Sequence, residues 1–141
     1  LLFPLMITRE GSDRGVVRTI LSVDEGEQSM TFAGDVAEGA TAQLMRANTD
    51  NLVDGASDAA TTCVKGLSGT SAEFAILVSC VGRKLVMKQR VEEEVEAVRE
   101  VVGDDAKLTG FYSYGELAPY EAGNACELHN QTMTITVFSE V

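Results

Sequence analysis

Histidine is almost absent from this 141-residue chain, which holds a single one, His129. A metal site needs several ligands at suitable spacing, and the neighbours of His129 are Glu127, Asn130 and Gln131 in a polar stretch. The residues therefore give no reason to expect a bound metal or a cofactor. Long apolar runs are missing too. None approaches the ~20 residues that a membrane-spanning helix requires. The short apolar start has no cationic segment before it, so neither membrane insertion nor a signal peptide is read here. Cations are scarce, with 11 Lys and Arg against 22 Asp and Glu, a formal net charge of -11. Such a balance repels a phosphate backbone or an anionic lipid surface and excludes nucleic acid as an expected partner. The chain also lacks a GxGxxG fingerprint after a strand, a P-loop, a GxSxG elbow and an HExxH helix, so its chemistry points to binding and not to turnover. Cys63, Cys80 and Cys126 are an odd number with no CxxC spacing, which suits free thiols in a reducing compartment, read as the cytoplasm.

What is present is enough for one domain. At 45% hydrophobic residues the chain can bury a core without disulfide or metal staples. It opens on Leu1-Leu2-Phe3-Pro4-Leu5, already strand-like and without an initiator Met, and is expected to be a piece of a longer protein whose N-terminal part is missing. Short apolar runs at 3–7, 16–23, 30–33 and 40–45, separated by glycines, predict a meander of antiparallel strands. Asp24-Glu25-Gly26-Glu27 reads as its clearest hairpin turn, with Gly26 able to supply a positive φ. From Thr49 the apolar period becomes three to four, predicting a helix over 49–66 capped by Thr49 or Asp50, with Cys63 on its packed face. The run 74–81 is apolar on both faces and predicts a central strand. A second helix is predicted over 83–102, with Val91, Val95, Val98 and Val102 as its apolar stripe, Glu92-Glu93-Glu94 as a solvated start and Gly103 as its stop. Strands near 108–114 and 132–138 complete the pattern, and 118–124 reads as a long loop between them. The expected fold is α+β: a largely antiparallel, mixed sheet of six to seven strands with two main helices on one face.

Two dense stretches carry the candidate chemistry. In Ser79-Cys80-Val81-Gly82-Arg83-Lys84, an arginine follows a strand and a glycine, near free helical N–H groups where a carboxylate could bind; the alternative is a solvated basic helix face. Cys80 shares a strand face with Phe74, Ile76 and Val78 and is read as a packed thiol, whereas a nucleophilic role would require His129 beside it as base. In Gly110-Phe111-Tyr112-Ser113-Tyr114-Gly115-Glu116, a strand period of two puts Tyr112, Tyr114 and Glu116 on one face as a polar wall. The bland reading keeps the tyrosines packed with their hydroxyls at an edge.

These stretches, with the acidic helix "EEEVEAVREVVG", "GFYSYGELAP" and "CELHNQTMTIT" in order, resemble the C-terminal half of the FIST family, the F-box and intracellular signal transduction domains. "FPLMI" and "FAGDVAEGA" fit as well, so the resemblance covers most of the chain, read as a single domain over 1–141. The resemblance implies a non-catalytic sensory input module, found beside signalling output domains in bacteria and working with an N-terminal FIST half. It further implies a small-molecule ligand of amino-acid type, and some relatives are described as haem-binding nitric oxide sensors.

In the expected site Arg83 takes the ligand carboxylate and Glu116 its ammonium, while Tyr112, Tyr114, Asn130 and Gln131 fix orientation and His129 stands beside them. Three other readings stay in view. One is a haem sensor ligated by His129. Another is a cysteine enzyme using Cys80 and His129. The last is an interaction half-domain that docks the N-terminal half through an exposed apolar surface.

Overall fold

The computed structural model describes residues 1–141 apart from 12, 13, 68, 121, 122 and 141. Ten strands and three helices follow in the order β1 (Leu5–Thr8), β2 (Gly15–Arg18), β3 (Ile20–Asp24), β4 (Ser29–Phe32), β5 (Thr41–Leu44), α1 (Thr49–Lys65), β6 (Phe74–Cys80), α2 (Val81–Met87), α3 (Val91–Val102), β7 (Lys107–Ser113), β8 (Glu116–Pro119), β9 (Cys126–His129) and β10 (Met133–Phe138). The class is α+β, as expected. The strands are divided, however, among a three-stranded sheet β2-β1-β5, a three-stranded sheet β10-β6-β7 and the hairpins β3-β4 and β8-β9. A single six- or seven-stranded sheet does not form.

β6 is the central strand of its sheet, antiparallel to β10 and parallel to β7. A parallel neighbour needs a crossover, and α2 and α3 provide it. Alternation along β6 sends Ala75, Leu77 and Ser79 toward the helices and Phe74, Ile76 and Val78 to the other face. The core lies on the helix side, where Ala75, Leu77, Met133 and Ile135 meet Ala56 and Ala60 of α1 and Val98 and Val102 of α3. Two alanines one turn apart let α1 approach the sheet closely. Cys63, half-buried on the same helix, donates its thiol to the Ile135 carbonyl at 2.9 Å, in keeping with a packed cysteine.

Several local expectations need correction. α1 is capped by Asn48, whose side chain accepts the Asp50 amide at 2.9 Å, one residue before the expected cap. The helix expected over 83–102 begins at Val81 and breaks at Lys88, where φ is +56° and a short 3-10 turn, Lys88–Arg90, separates α2 from α3. The break frees α3 to rotate so that Glu94, Val98 and Val102 face the core, while Val95 is left 39% exposed. The Glu92-Glu93-Glu94 stretch is thus not uniformly solvated. The run 16–23 divides at Thr19 into β2 and β3, each paired with a different strand. The hairpin at Asp24 forms as expected, but Gln28 carries the positive φ, +49°, and Gly26 does not. Residues expected in a loop, Ala118 and Pro119, belong to β8; the rest of that call includes 121 and 122, outside the described residues.

Gly110 has a steric reason to be glycine. A Cβ at this position of β7 would lie 1.9 Å from the Leu77 carbonyl oxygen, an atom of the neighbouring backbone. Any side chain would push β7 away from β6.

Candidate functional site

The C-terminal ends of the parallel strands β6 and β7 lie side by side, with Ser79 opposite Tyr112 and Cys80 opposite Ser113. Such ends are where sheets with parallel strands gather ligand-binding side chains. Two buried polar clusters meet there, one on each side of β6.

On the helix side, Glu94 is wholly excluded from solvent. Its Oε2 accepts Arg83 Nε at 2.8 Å, and its Oε1 accepts the Ser79 hydroxyl at 3.1 Å and the Tyr112 hydroxyl at 3.0 Å. Arg83 also donates Nη2 to the Leu52 carbonyl at 2.7 Å, which ties α2 to the first turn of α1. A carboxylate inside a protein requires this kind of satisfaction, because an unpaired buried charge costs several kcal/mol. The Tyr112 hydroxyl is pushed up to about 12, first by burial and then by the adjacent Glu94 charge. The exposed Lys84 ammonium stands 4.8 Å from the centroid of the Tyr112 ring.

Beside this cluster runs a cleft of about 240 Å³ between α3 and β7, walled by Tyr112, Leu77, Leu108, Val95 and Met133, with the Gly110 backbone at its side. It is mostly apolar, and Tyr112 marks its polar end. A second cleft, of about 610 Å³, lies over Arg46, Asn48, Thr49 and Val86 at the start of α1. It contains none of the expected site residues.

On the other side of β6, Glu116 is 2% exposed and accepts the Ser113 hydroxyl at 2.5 Å and the Thr132 hydroxyl at 2.9 Å. Asn130 accepts the Thr19 amide at 3.1 Å and donates to the His129 carbonyl at 3.1 Å. Gln131 donates to the Leu1 carbonyl at 3.0 Å and to the Thr19 hydroxyl at 3.1 Å. Arg18 adds bonds to the carbonyls of Asp35 and Leu128 at 2.9 Å each. These contacts stitch the N-terminal strands to the turn between β9 and β10.

The expected site residues are therefore split. Arg83 and Tyr112 come together through Glu94, while Glu116, His129, Asn130 and Gln131 belong to the stitched region. Tyr112, Tyr114 and Glu116 do not form one wall. The chain bends after Ser113, so the strand period does not carry across Tyr114-Gly115; Tyr114 is left 89% exposed and Glu116 turns inward. Glu94 and Ser79 were missed by sequence reasoning. Their signal was there, since Glu94 precedes Val98 by four residues and Val102 by eight, and Ser79 shares a strand face with Ala75 and Leu77.

Two chemistries can be tested on these atoms. Cys80 is buried, its thiol raised first by desolvation, and its polar neighbours are Gly82, Gln131 and Glu116. His129 is bonded elsewhere: its Nε2 faces the Ala118 carbonyl at 3.0 Å, an arrangement in which that nitrogen carries the hydrogen. The thiol–imidazole pair of a cysteine enzyme does not form. The same bond removes Nε2 from axial ligation of a haem, and the His129 ring packs 5.7 Å from the Tyr120 ring, 5% exposed. Tyr112, the phenol on the small cleft, is held protonated by its environment, which opposes tyrosinate ligation. These residues do not fit haem.

Among the described residues, no helix is long and apolar enough to cross a membrane. No curated protein and no solved structure matches the chain. A family model described as the FIST C domain matches residues 1–119, which includes β6, the α2–α3 crossover, β7 and β8 and stops before Cys126. With most of its length covered by that match, the chain belongs to the FIST C domain family, a family of sensory domains in signal transduction.

Proposed function

We propose that this domain senses a small metabolite of amino-acid type in the cleft between α3 and β7 and passes its occupancy to a signalling partner. The observation that carries this reading is the Tyr112 hydroxyl. It sits on the wall of an apolar cleft of about 240 Å³ and donates to the buried Glu94 carboxylate at 3.0 Å. A phenol that donates to a carboxylate has a more electron-rich oxygen, so Tyr112 is a good acceptor for an ammonium or N–H group. Leu77, Leu108, Val95 and Met133 suit an apolar ligand body. The exposed Lys84 is the cation within reach of a carboxylate at the mouth. Arg83, expected to hold the ligand, serves here as the buried partner of Glu94, its Nε 2.8 Å from Oε2. Glu116, His129, Asn130 and Gln131 hold the scaffold, and the exposed Tyr114 makes no contact with the ligand. The role is non-catalytic, and the free thiols suit a reducing, cytoplasmic setting.

The test is thermal-shift screening of the chain against the amino acids, with Tyr112→Phe and the cleft-filling Val95→Phe alongside. A ligand present at a hundred times its dissociation constant adds roughly 2.7 kcal/mol of stability. The expected result is stabilisation by one or more apolar amino acids that weakens in Tyr112→Phe and vanishes in Val95→Phe. Absence of any shift, or an equal shift in Val95→Phe, counts against the cleft as the site.

A further inference from the structure

The free edge of β7 is an unusual feature for a stable domain. β7 pairs with β6 alone, and among the described residues no other backbone bonds to the Leu108–Ser113 segment on its outer side. Edge strands are normally blunted by charges, proline, bulges or a covering element. Here Lys107 is the only charged residue, and Leu108-Thr109-Gly110-Phe111-Tyr112-Ser113 follows without charge or proline. The opposite edge, β10, is treated differently: α1 packs on it, and its Ile135 carbonyl is taken by the Cys63 thiol.

We infer that β7 is a docking edge for an extended peptide segment of a partner protein, which adds to the sheet as a fourth strand. Main-chain bonds along the edge would give affinity, and alternate side chains would give selectivity. On the helix side the segment passes Gly110, which has no side chain to obstruct it. On the other side an apolar residue of the segment packs beside Phe111, 63% exposed, next to Val78 on the open sheet face.

Charge selects the occupant. Val95 of α3 lines the cleft along β7, and its exposed helix neighbours include Glu92 and Glu96. Arg99 is occupied by the carbonyls of Asp104 and Ala106 and Lys84 lies over the Tyr112 ring at the far end of β7, which leaves Lys107 as the cation at the start of the strand. Two copies pairing edge to edge would bring two such α3 helices, and two chains of net charge -11, against each other. A segment with apolar residues at alternate positions and Lys or Arg beside them meets no such repulsion. The inference does not depend on a metabolite filling the cleft.

The experiment is selection from a displayed library of random peptides against the immobilised chain, followed by binding and backbone amide-exchange measurements with the enriched peptides made synthetically. Enrichment of alternating apolar sequences bearing Lys or Arg is expected. Their binding should slow exchange of amides in 108–112 and weaken at least tenfold in both Phe111→Lys and Thr109→Lys, at exposed positions. Three outcomes would overturn the inference: no enriched class, peptides that bind both variants as well as the original chain, or protection confined to other strands. Concentration-dependent dimerisation of the chain that Phe111→Lys abolishes would also overturn it, by assigning the edge to a second copy.

Discussion

Glu94 Oε2 lies 2.8 Å from Arg83 Nε, and the two side chains, 0% and 4% exposed, form an ion pair sealed between α3, α2 and β6. An ion pair in this position is a poor source of net stability, because desolvating both charges offsets most of their attraction. What it does well is fix geometry. Arg83 joins α2 to the Leu52 carbonyl of α1, while Glu94 receives Ser79 from β6 and Tyr112 from β7, so one carboxylate sets the register of four elements.

The pair predicts a marked non-additivity. Glu94→Ala leaves the Arg83 cation buried and two hydroxyls without their acceptor, and should cost about 3–5 kcal/mol in urea unfolding. Arg83→Ala should cost a similar amount. Arg83→Met combined with Glu94→Leu replaces both charges with apolar volume and should lose less than either single truncation. Arg83→Ala combined with Glu94→Ala should lose clearly less than the sum of those two singles, and a loss equal to that sum would show that the residues act independently.

The thiols should react in the order of their exposure. Cys126 lies exposed on β9, Cys63 is half-buried against the core, and Cys80 is 4% exposed. Burial pushes both the Cys63 and Cys80 thiols up, which lowers their thiolate fraction at neutral pH. Titration with a thiol reagent near neutral pH should modify one cysteine per chain rapidly, and Cys126→Ser should abolish that phase. Rapid modification of Cys80 in the folded protein would contradict its buried place at the end of β6.

Much of this scaffold could be read from local pattern. The helix α1, the central strand β6 and the stop at Gly103 each rest on a strong local signal: a period of three to four, apolar residues on both faces, a glycine at φ +98°. The site was less legible because tertiary contacts set it. Nothing local at Lys88 announces its φ of +56°, yet that turn sets the rotation of α3 and carries Glu94 inward from an apparently solvated acidic start. Arg83 was read as the partner of a ligand carboxylate, with a solvated basic helix face as the alternative; in the fold it is buried and its carboxylate is Glu94 of the chain itself. Tyr114 and Glu116 were misplaced because a period of two was extended across a bend.

Tyr112 gives the last prediction, in alkaline solution. In the unfolded chain a tyrosine titrates near 10, whereas in the fold Tyr112 is raised to about 12, by burial first and by Glu94 second. Between those values the unfolded chain releases this proton while the folded chain keeps it. The unfolded state then binds fewer protons, so stability falls as pH rises through the window; below the unfolded value the contribution of Tyr112 is constant. The stability of the original chain should therefore decline more steeply above pH ~10 than that of Tyr112→Phe, which has no phenol to ionise at this position. Tyr114→Phe, altered at a side chain that is 89% exposed, should retain the steep decline. All other ionisable groups are common to the original chain and Tyr112→Phe, so the difference between those two curves isolates the phenol. Urea midpoints measured at intervals from neutral to strongly alkaline pH make the comparison. Parallel curves for the original chain and Tyr112→Phe would mean that Tyr112 is not held against Glu94 in solution, and the polar end of the cleft would lose its anchor.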